Sequence, residues 1–366
     1  MSNPQLEFAL KKGVALSRIG AMIRFYKPTI KRKDMDSVLQ TMVDEKIGPG
    51  EKVLAFMQAY SETVKAISSS SYRTYPDCLT ASLLMAGAGP GTKVAVSPLS
   101  PQLYKTVVEG LGAELVLVDV DKENGCPRED LVSSSGADIL LLYENYGTIP
   151  MRYNEKTTYA ELLDYGSVKV IEDISESIGG HLKEEGYAGS VGHLVVCAFE
   201  EDSVVSAGGG CAVGAKSELV SALRGKRPSK YLKMPDMNAA LGMVQLSNLE
   251  TNSAKRREIV KLYQQALSKT RHKQFGLSLI DFESNCSGFA ILLDSKPDEA
   301  IKFGAKHDVP IKMAFEDCLI KMYEGDPFEN FPVAASYYYR AVAFPVYPFL
   351  KNSEIDLISK IISHLP

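Results

Sequence analysis

Several function classes are excluded by what this 366-residue chain lacks. Its six cysteines, at 78, 126, 197, 211, 286 and 318, form no C-x-x-C pair and no dense framework, so no disulfide scaffold is expected and a reducing, cytoplasmic compartment is. The five histidines are isolated too, which leaves no ligand set at short spacing for a structural metal. Charge of one sign is scarce. A net charge of -4 and a pI near 5.9 give no electrostatic footprint for nucleic acid, and the basic clusters at Lys31-Arg32-Lys33 and Arg224 to Arg227 read as solvated faces. Long apolar runs are missing as well: Lys11, Lys12 and Arg18 interrupt the first stretch, so neither a signal peptide nor a membrane span is expected there. There is no internal repeat and no low-complexity tract.

What is present suits a globular protein with a sizeable core, built as roughly two domains of about 150 residues or one large domain with a smaller one. Residues 6–24 read as a weakly amphipathic helix. From Asp34 the spacing of Met35, Val38, Leu39 and Met42 predicts a helix that Lys46-Ile-Gly-Pro-Gly50 ends, followed by another through Val53, Phe56 and Tyr60. Strand–helix alternation then runs on: strands at 93–96, 114–118 and 138–143, and helices at 101–111 and 158–165, which together imply a largely parallel sheet. Two apolar runs, 167–173 and 193–199, are followed by an acidic turn at 200–203, the glycines 208–210 and a strand at 211–215. Ligands of open α/β sheets bind outside the carboxyl ends of strands, so Asp173 and Ser203 are expected to face one pocket. A single long helix is predicted over 235–267, with Met237, Ala240, Leu241, Val244, Leu246 and Leu249 on one apolar face. The last hundred residues read as strands near 278–280 and 288–293 and helices near 298–306 and 354–362.

Asp173 with Glu176, Gly179-Gly180, Gly189-Ser190-Val191-Gly192, Phe199 and the glycine run resemble the core of the DegT/StrS-type sugar aminotransferases. The segment Met234-Pro-Asp-Met-Asn-Ala-Ala-Leu-Gly-Met-Val-Gln-Leu246, and later Phe331-Pro-Val-Ala-Ala335 and Phe344-Pro-Val-Tyr-Pro348, are similar to further landmarks of that family. The resemblance implies an α/β, aspartate-aminotransferase-like PLP-transferase fold: a mostly parallel central sheet in a large domain over 25–265, a smaller C-terminal α+β domain over 266–366, and a helical extension over 1–24. It also implies a homodimer and use of pyridoxal phosphate (PLP). In the family the strand-end Asp, here Asp173, binds the pyridine nitrogen, and a Ser-Phe-x-x-x-Lys segment supplies the Schiff-base lysine. That segment reads Ala198-Phe199-Glu200-Glu201-Asp202-Ser203, with Ser203 at the lysine position. The family's phosphate-gripping Ser-Gly-Thr turn is matched by Thr74-Tyr75-Pro76-Asp77, which reads as a well-capped helix start. At the stacking aromatic the register gives Leu99-Ser100, and Tyr104, one turn late, reads as a packing residue. Asn145 is expected to line the pocket, and Tyr231 and Lys233 stand where the family carries Asn-x-Arg.

Residues expected at the cofactor position are Asp173, Glu176, Asn145, Thr74, Tyr75 and Ser203, with no catalytic residue among them. A serine hydroxyl forms no imine with an aldehyde, and carboxylates added beside a dianionic phosphate oppose its binding by about 1 kcal/mol per nearby pair. No covalently bound cofactor is therefore expected; PLP or its aminated form (PMP) without a covalent bond stays open. The sequence reads as a degenerate, non-transaminating homologue of the family, a binding or partner subunit in carbohydrate or polysaccharide biosynthesis. Its expected partners are a second copy and a nucleotide-sugar or other small molecule, with no nucleic acid and no membrane. The alternatives are a PLP- or PMP-dependent dehydratase acting on a nucleotide-linked keto sugar, or an active aminotransferase whose lysine is Lys216 or Lys183.

Overall fold

Four- and five-residue apolar runs bounded by turns become the strands of a seven-stranded sheet with helices packed on both faces. The computed structural model describes residues 23–154, 159–182, 186–216, 219–276 and 282–366. In chain order the first part comprises α1 (Arg32–Val43), α2 (Glu51–Thr63), β1 (Ser68–Tyr72), α3 (Tyr75–Ala86), β2 (Lys93–Val96), α4 (Leu103–Gly110), β3 (Glu114–Leu117), α5 (Glu129–Ser134) and β4 (Ile139–Tyr143). A ribbon of β5 (Met151–Asn154) and β6 (Tyr159–Leu162) leads to β7 (Lys169–Asp173), β8 (His181–Leu182), β9 (Leu194–Ala198) and β10 (Cys211–Ala215). Helices α6 (Val220–Gly225), α7 (Asp236–Ser247) and α8 (Leu249–Leu267) follow. The remainder is β11 (Lys273–Gln274), β12 (Phe282–Glu283), β13 (Phe289–Leu292), α9 (Pro297–Lys306), β14 (Lys312–Met313), α10 (Pro327–Asn330), α11 (Pro332–Arg340), β15 (Ala341–Phe344) and α12 (Asn352–Ile362).

The large sheet has the order β1-β10-β9-β7-β4-β2-β3. Strands β9, β7, β4, β2 and β3 run parallel, while β10 is antiparallel to both β9 and β1. Strict alternation along each strand splits the core between the two faces: Leu141 and Ile171 pack with α3 residues Leu79 and Leu83, and Leu140 and Val170 pack on the other side with Tyr165. Cys197 and Cys211 lie in these cores as small apolar residues. A second, four-stranded antiparallel sheet, β11-β13-β15-β14, joins Ile259 and Tyr263 of α8 to Ile358 and Ile362 of α12 in a separate core. No helix of the described residues is long and apolar enough to cross a membrane.

Two expectations are corrected. Residues 159–162 form strand β6, not a helix: Met151 pairs with Leu162 in a ribbon whose two end residues turn into the core, and that burial overrides the helical pattern read over 158–165. The long helix breaks at Asn248 into α7 and α8. Of the face expected to be apolar, Ala240, Leu246 and Leu249 are buried and Met237, Leu241 and Val244 are half-buried; Ala239, Gly242 and Gln245 complete the buried face of α7, against which α1 and α2 both pack closely. A Cβ on Gly242 would stand 2.6 Å from the Phe56 ring. The helix read over 6–24 and the strand read near 278–280 lie outside the described residues.

One contact fixes how α7 meets α2. Gly50, the N-cap of α2, has no side chain to offer the free N–H groups of the first turn. Asp236, buried at the start of α7, supplies it from 186 residues away: Oδ1 accepts from Gly50 N at 2.8 Å and Val53 N at 3.0 Å, and Oδ2 from Lys52 N at 3.3 Å. A Cβ at position 50 would stand 2.8 Å from Asp236 Oδ2, which explains the glycine. Asp236→Ala leaves three donors without partners and is expected to cost about 2–4 kcal/mol in urea unfolding, with Asp236→Asn costing less; an unchanged midpoint for the alanine variant contradicts this capping role.

Candidate functional site

The carboxyl ends of β4, β7 and β9 lie side by side, with Tyr143 opposite Asp173 and Asp173 opposite Val196. Asp173, the last residue of β7, is wholly buried. Its Oδ2 accepts from Tyr75 Oη at 2.5 Å and Tyr104 Oη at 2.8 Å. Oδ1 accepts from Ser175 N at 3.0 Å and Ser175 Oγ at 2.5 Å. A carboxylate offers about four lone-pair positions, and these bonds use four. Burial raises the Asp173 pKa, and the hydrogen bonds from Ser175, Tyr75 and Tyr104 oppose that rise. Burial, followed by the Asp173 charge, pushes the Tyr75 phenol well above its ordinary range, so it keeps its proton and stays a donor. Ser175 Oγ also accepts from Ala198 N at 2.9 Å, which ties β7 to β9.

Tyr104 is therefore bonded to the strand-end carboxylate, where the sequence reading gave it only a packing role. Helix α4 begins at Leu103, so Tyr104 sits in its first turn, close enough to reach across the sheet edge.

Tyr75 separates Asp173 from a cavity of about 360 Å³ that lies between this sheet edge and the C-terminal residues. Of the residues anticipated from the sequence, Tyr75, Glu176 and Ser203 line that cavity. Thr74 instead caps α3: its Oγ1 donates to Asp77 Oδ2 at 2.6 Å and accepts from Asp77 N at 3.3 Å, while Pro76 in the first turn has no N–H. Asn145 is buried in the turn Asn145–Gly147 and does not line the cavity. Ser203 Oγ accepts from Glu200 N at 3.0 Å and closes its own turn. Glu176 Oε2 accepts from Tyr146 N at 2.6 Å, and its carboxyl also bonds the Tyr143 hydroxyl. Burial, with the charges of Asp202 and Asp173 adding to it, raises Glu176 to about 7 against those hydrogen bonds.

The neighbouring motifs hold the edge in place. Glu172 points to the opposite face from Asp173 and accepts from Gly189 N at 2.8 Å and Gly192 N at 2.6 Å, which accounts for the Gly189-Ser190-Val191-Gly192 loop. Glu144, beside it and bonded by Ser177 Oγ, is raised well above its ordinary pKa by burial and then by the Glu172 charge. Gly208, Gly209 and Gly210 all adopt positive φ, which returns the chain into β10.

Sequence reading missed the cavity's opposite wall: Arg256, Ser287 and Lys312, together with the segment from Phe25 to Thr29. Arg256 was findable in part, because Asn252, Arg256, Ile259 and Tyr263 share one buried helical face in α8, an unusual place for a guanidinium. Lys216 is not near the site: it follows Ala215, which pairs with Leu194 at the far end of β9 from Ala198, and its Nζ donates to Tyr187 Oη. Lys183 lies outside the described residues. Among the described residues no cluster of histidine, cysteine and carboxylate side chains could hold a metal ion.

Comparison with known proteins places this geometry. Over 90% of this chain and 93% of the relative, the sequence is 21% identical to the spore coat polysaccharide biosynthesis protein SpsC of Bacillus subtilis (strain 168). The aminotransferase TlmJ from Streptoalloteichus hindustanus superposes with a TM-score of 0.81 at 20% identity, covering 93% of this chain and 98% of that one. A GDP-4-keto-6-deoxymannose-3-dehydratase (ColD) variant with bound GDP-perosamine superposes with a TM-score of 0.77 at 12% identity, over 92% of this chain and 99% of that one. These likenesses establish the PLP-dependent aminotransferase fold. Residues 28–363 match the family's sequence model, and the chain belongs to the DegT/DnrJ/EryC1/StrS aminotransferase family.

Proposed function

We propose that this chain is a non-transaminating member of the family, a binding or partner subunit in carbohydrate or polysaccharide biosynthesis. The observation that carries this reading is the saturation of Asp173. A PLP site needs a carboxylate free for the ring nitrogen, a phosphate cup and a lysine. Here two phenols fill Asp173 Oδ2 and Ser175 fills Oδ1, and Tyr75 and Ser175 line the cavity while Asp173 does not. The start of α3 is closed by the Thr74–Asp77 pair, which puts a carboxylate where the helix dipole would otherwise favour a phosphate. Glu200, Glu201, Asp202 and Ser203 supply no amine, and the cavity's two lysines are turned to rings, Lys27 Nζ over Phe349 and Lys312 Nζ over Phe25. The residues present do not fit PLP, and no reaction step is assigned through it.

A second reading, a dehydratase-type enzyme acting on a nucleotide-linked keto sugar, is favoured by Glu176, a cavity carboxyl held at about 7 and so able to exchange protons near neutrality. The SpsC and ColD names support the carbohydrate setting common to both readings.

Incubation with PLP followed by borohydride is expected to leave the intact mass unchanged; a stoichiometric pyridoxyl adduct at one lysine contradicts the first reading.

The working unit is proposed to be a homodimer. Helix α1 and the loop after it expose Met35, Leu39, Met42, Val43 and Ile47, and α2 exposes Leu54, on the two helices that cover α7. Such a stripe is costly to leave in water and suits a second copy. Light scattering at micromolar concentration is expected to give twice the 40.0 kDa chain mass, and Leu39→Glu to lower it. A monomeric wild-type protein rejects the dimer.

A further inference from the structure

Residues 23–30 run without helix or strand along one wall of the cavity, and Phe25 to Thr29 line it in an unbroken series. Both ends of this strap are fixed. Ile23 is buried in the same apolar core as Ile259 and Val260 of α8, and Thr29 is buried where its carbonyl accepts from Gln245 Nε2 of α7 at 2.9 Å. The middle is exposed at Arg24, Tyr26 and Lys27, and Pro28 has no N–H and disfavours a helical Lys27. Three contacts hold it. The Tyr26 hydroxyl bonds Glu201 of the acidic turn, Lys312 Nζ stands 4.7 Å from the Phe25 ring centre, and Lys27 Nζ stands 5.4 Å from that of Phe349. Among the described residues no backbone hydrogen bond ties 25–28 to the rest of the chain.

The helices between the two anchors carry polar groups that find no partner. Residues 23–29, fully extended, span about 20 Å, and the rise from Gln245 to Ile259 along α7 and α8 is about 21 Å, so strap and helices match in length between the same end points. That stretch of α8 carries Asn252, Ser253 and Arg256, each 5% exposed or less. Gln245 Oε1, Asn252 Oδ1, Ser253 Oγ and Arg256 Nη1 are all sealed from solvent without a hydrogen-bond partner among the described residues. Buried polar atoms left unsatisfied penalise the closed arrangement, and any opening that wets them recovers that cost.

We propose that residues 24–28 are a lid on the cavity, hinged at the buried anchors Ile23 and Thr29, which lifts from the α7–α8 seam to admit a ligand and to wet Asn252, Ser253 and Arg256. The lid goes beyond the proposed function and holds for either reading of it, since it concerns entry and not what enters. Its opening is local. The contacts broken are one phenol–carboxylate bond and two cation–ring contacts at the surface, each weak in water, and no residue has to leave an apolar core.

The test is labelling of the full chain carrying Ser253→Cys with N-ethylmaleimide under native conditions, with mass spectrometry to locate the label. The six native cysteines are buried, and Cys78, deep in the sheet core, reports global unfolding in the same sample. The thiol at position 253 is expected to react at least about 100-fold faster than Cys78. Tyr26→Phe and Lys312→Ala each remove one tether and are expected to speed labelling at 253 about two- to fivefold. Asp236→Asn, which weakens the fold away from the strap, is expected to speed Cys78 and leave 253 unchanged. Should Ser253→Cys fail to fold by circular dichroism, Ser287→Cys, whose hydroxyl is sealed beside the same cavity, is the reporter. Labelling of the reporter no faster than Cys78 overturns the lid, and so does fast labelling that neither tether variant changes. A pyridoxyl adduct in the borohydride experiment would reject the first functional reading and leave the lid standing.

Discussion

A buried carboxylate at the end of a central strand needs donors, and the arrangement of Asp173 follows from that need. Leaving such a group unpaired in the interior costs several kcal/mol, and each charged hydrogen bond returns about 1.5–3 kcal/mol of it. The four donors come from three places in the chain: the first turn of α3, the first turn of α4, and Ser175 just after β7. Ser175 in turn accepts from Ala198 at the end of β9. One carboxyl group thus joins two helix starts and two strand ends, and two of its partners, Tyr75 and Ser175, line the cavity.

The same satisfaction that stabilises the sheet edge bears on what the proposed site can take. With Tyr75 bonded to Asp173, the adjoining space is lined by phenols, an acidic turn, two lysines and Arg256. The carboxyl ends of β4, β7 and β9 lie where α/β sheets place ligands, and the acidic turn Glu200 to Asp202 lines the cavity beside them. Fold and site therefore carry different information: family membership accounts for the first, and the hydrogen-bond partners of Asp173 for the second.

Much of the architecture was legible in the sequence because the parallel strands are buried on both faces and read as unbroken apolar runs, as in Val94–Val96 and 139–142. The ribbon over β5 and β6 was not, since nothing local distinguishes 159–162 from a helix until Leu162 pairs with Met151. The residues of the acidic turn and Asp173 were legible from their register beside the glycines. The partners of Asp173 were not: Tyr75 and Tyr104 lie 98 and 69 residues away, and no spacing rule reports contacts of that length. Asp236 shows the same limit, although the bare glycine at the N-cap of α2 left a visible gap for some distant acceptor to fill.

The central claim is that the site around Asp173 has been rebuilt beyond the loss of one lysine. Its most direct test is Ser203→Lys titrated with PLP and followed by absorbance. If only the amine were missing, the new lysine would complete the site. The account expects no visible band of a cofactor–lysine imine, because Tyr75 and Tyr104 occupy the Asp173 oxygen, Asp77 closes the start of α3, and the neighbouring carboxylates at 200–202 would hold the new amine protonated. Appearance of that band at micromolar PLP would contradict the account and return the chain to the cofactor-binding enzymes of its family.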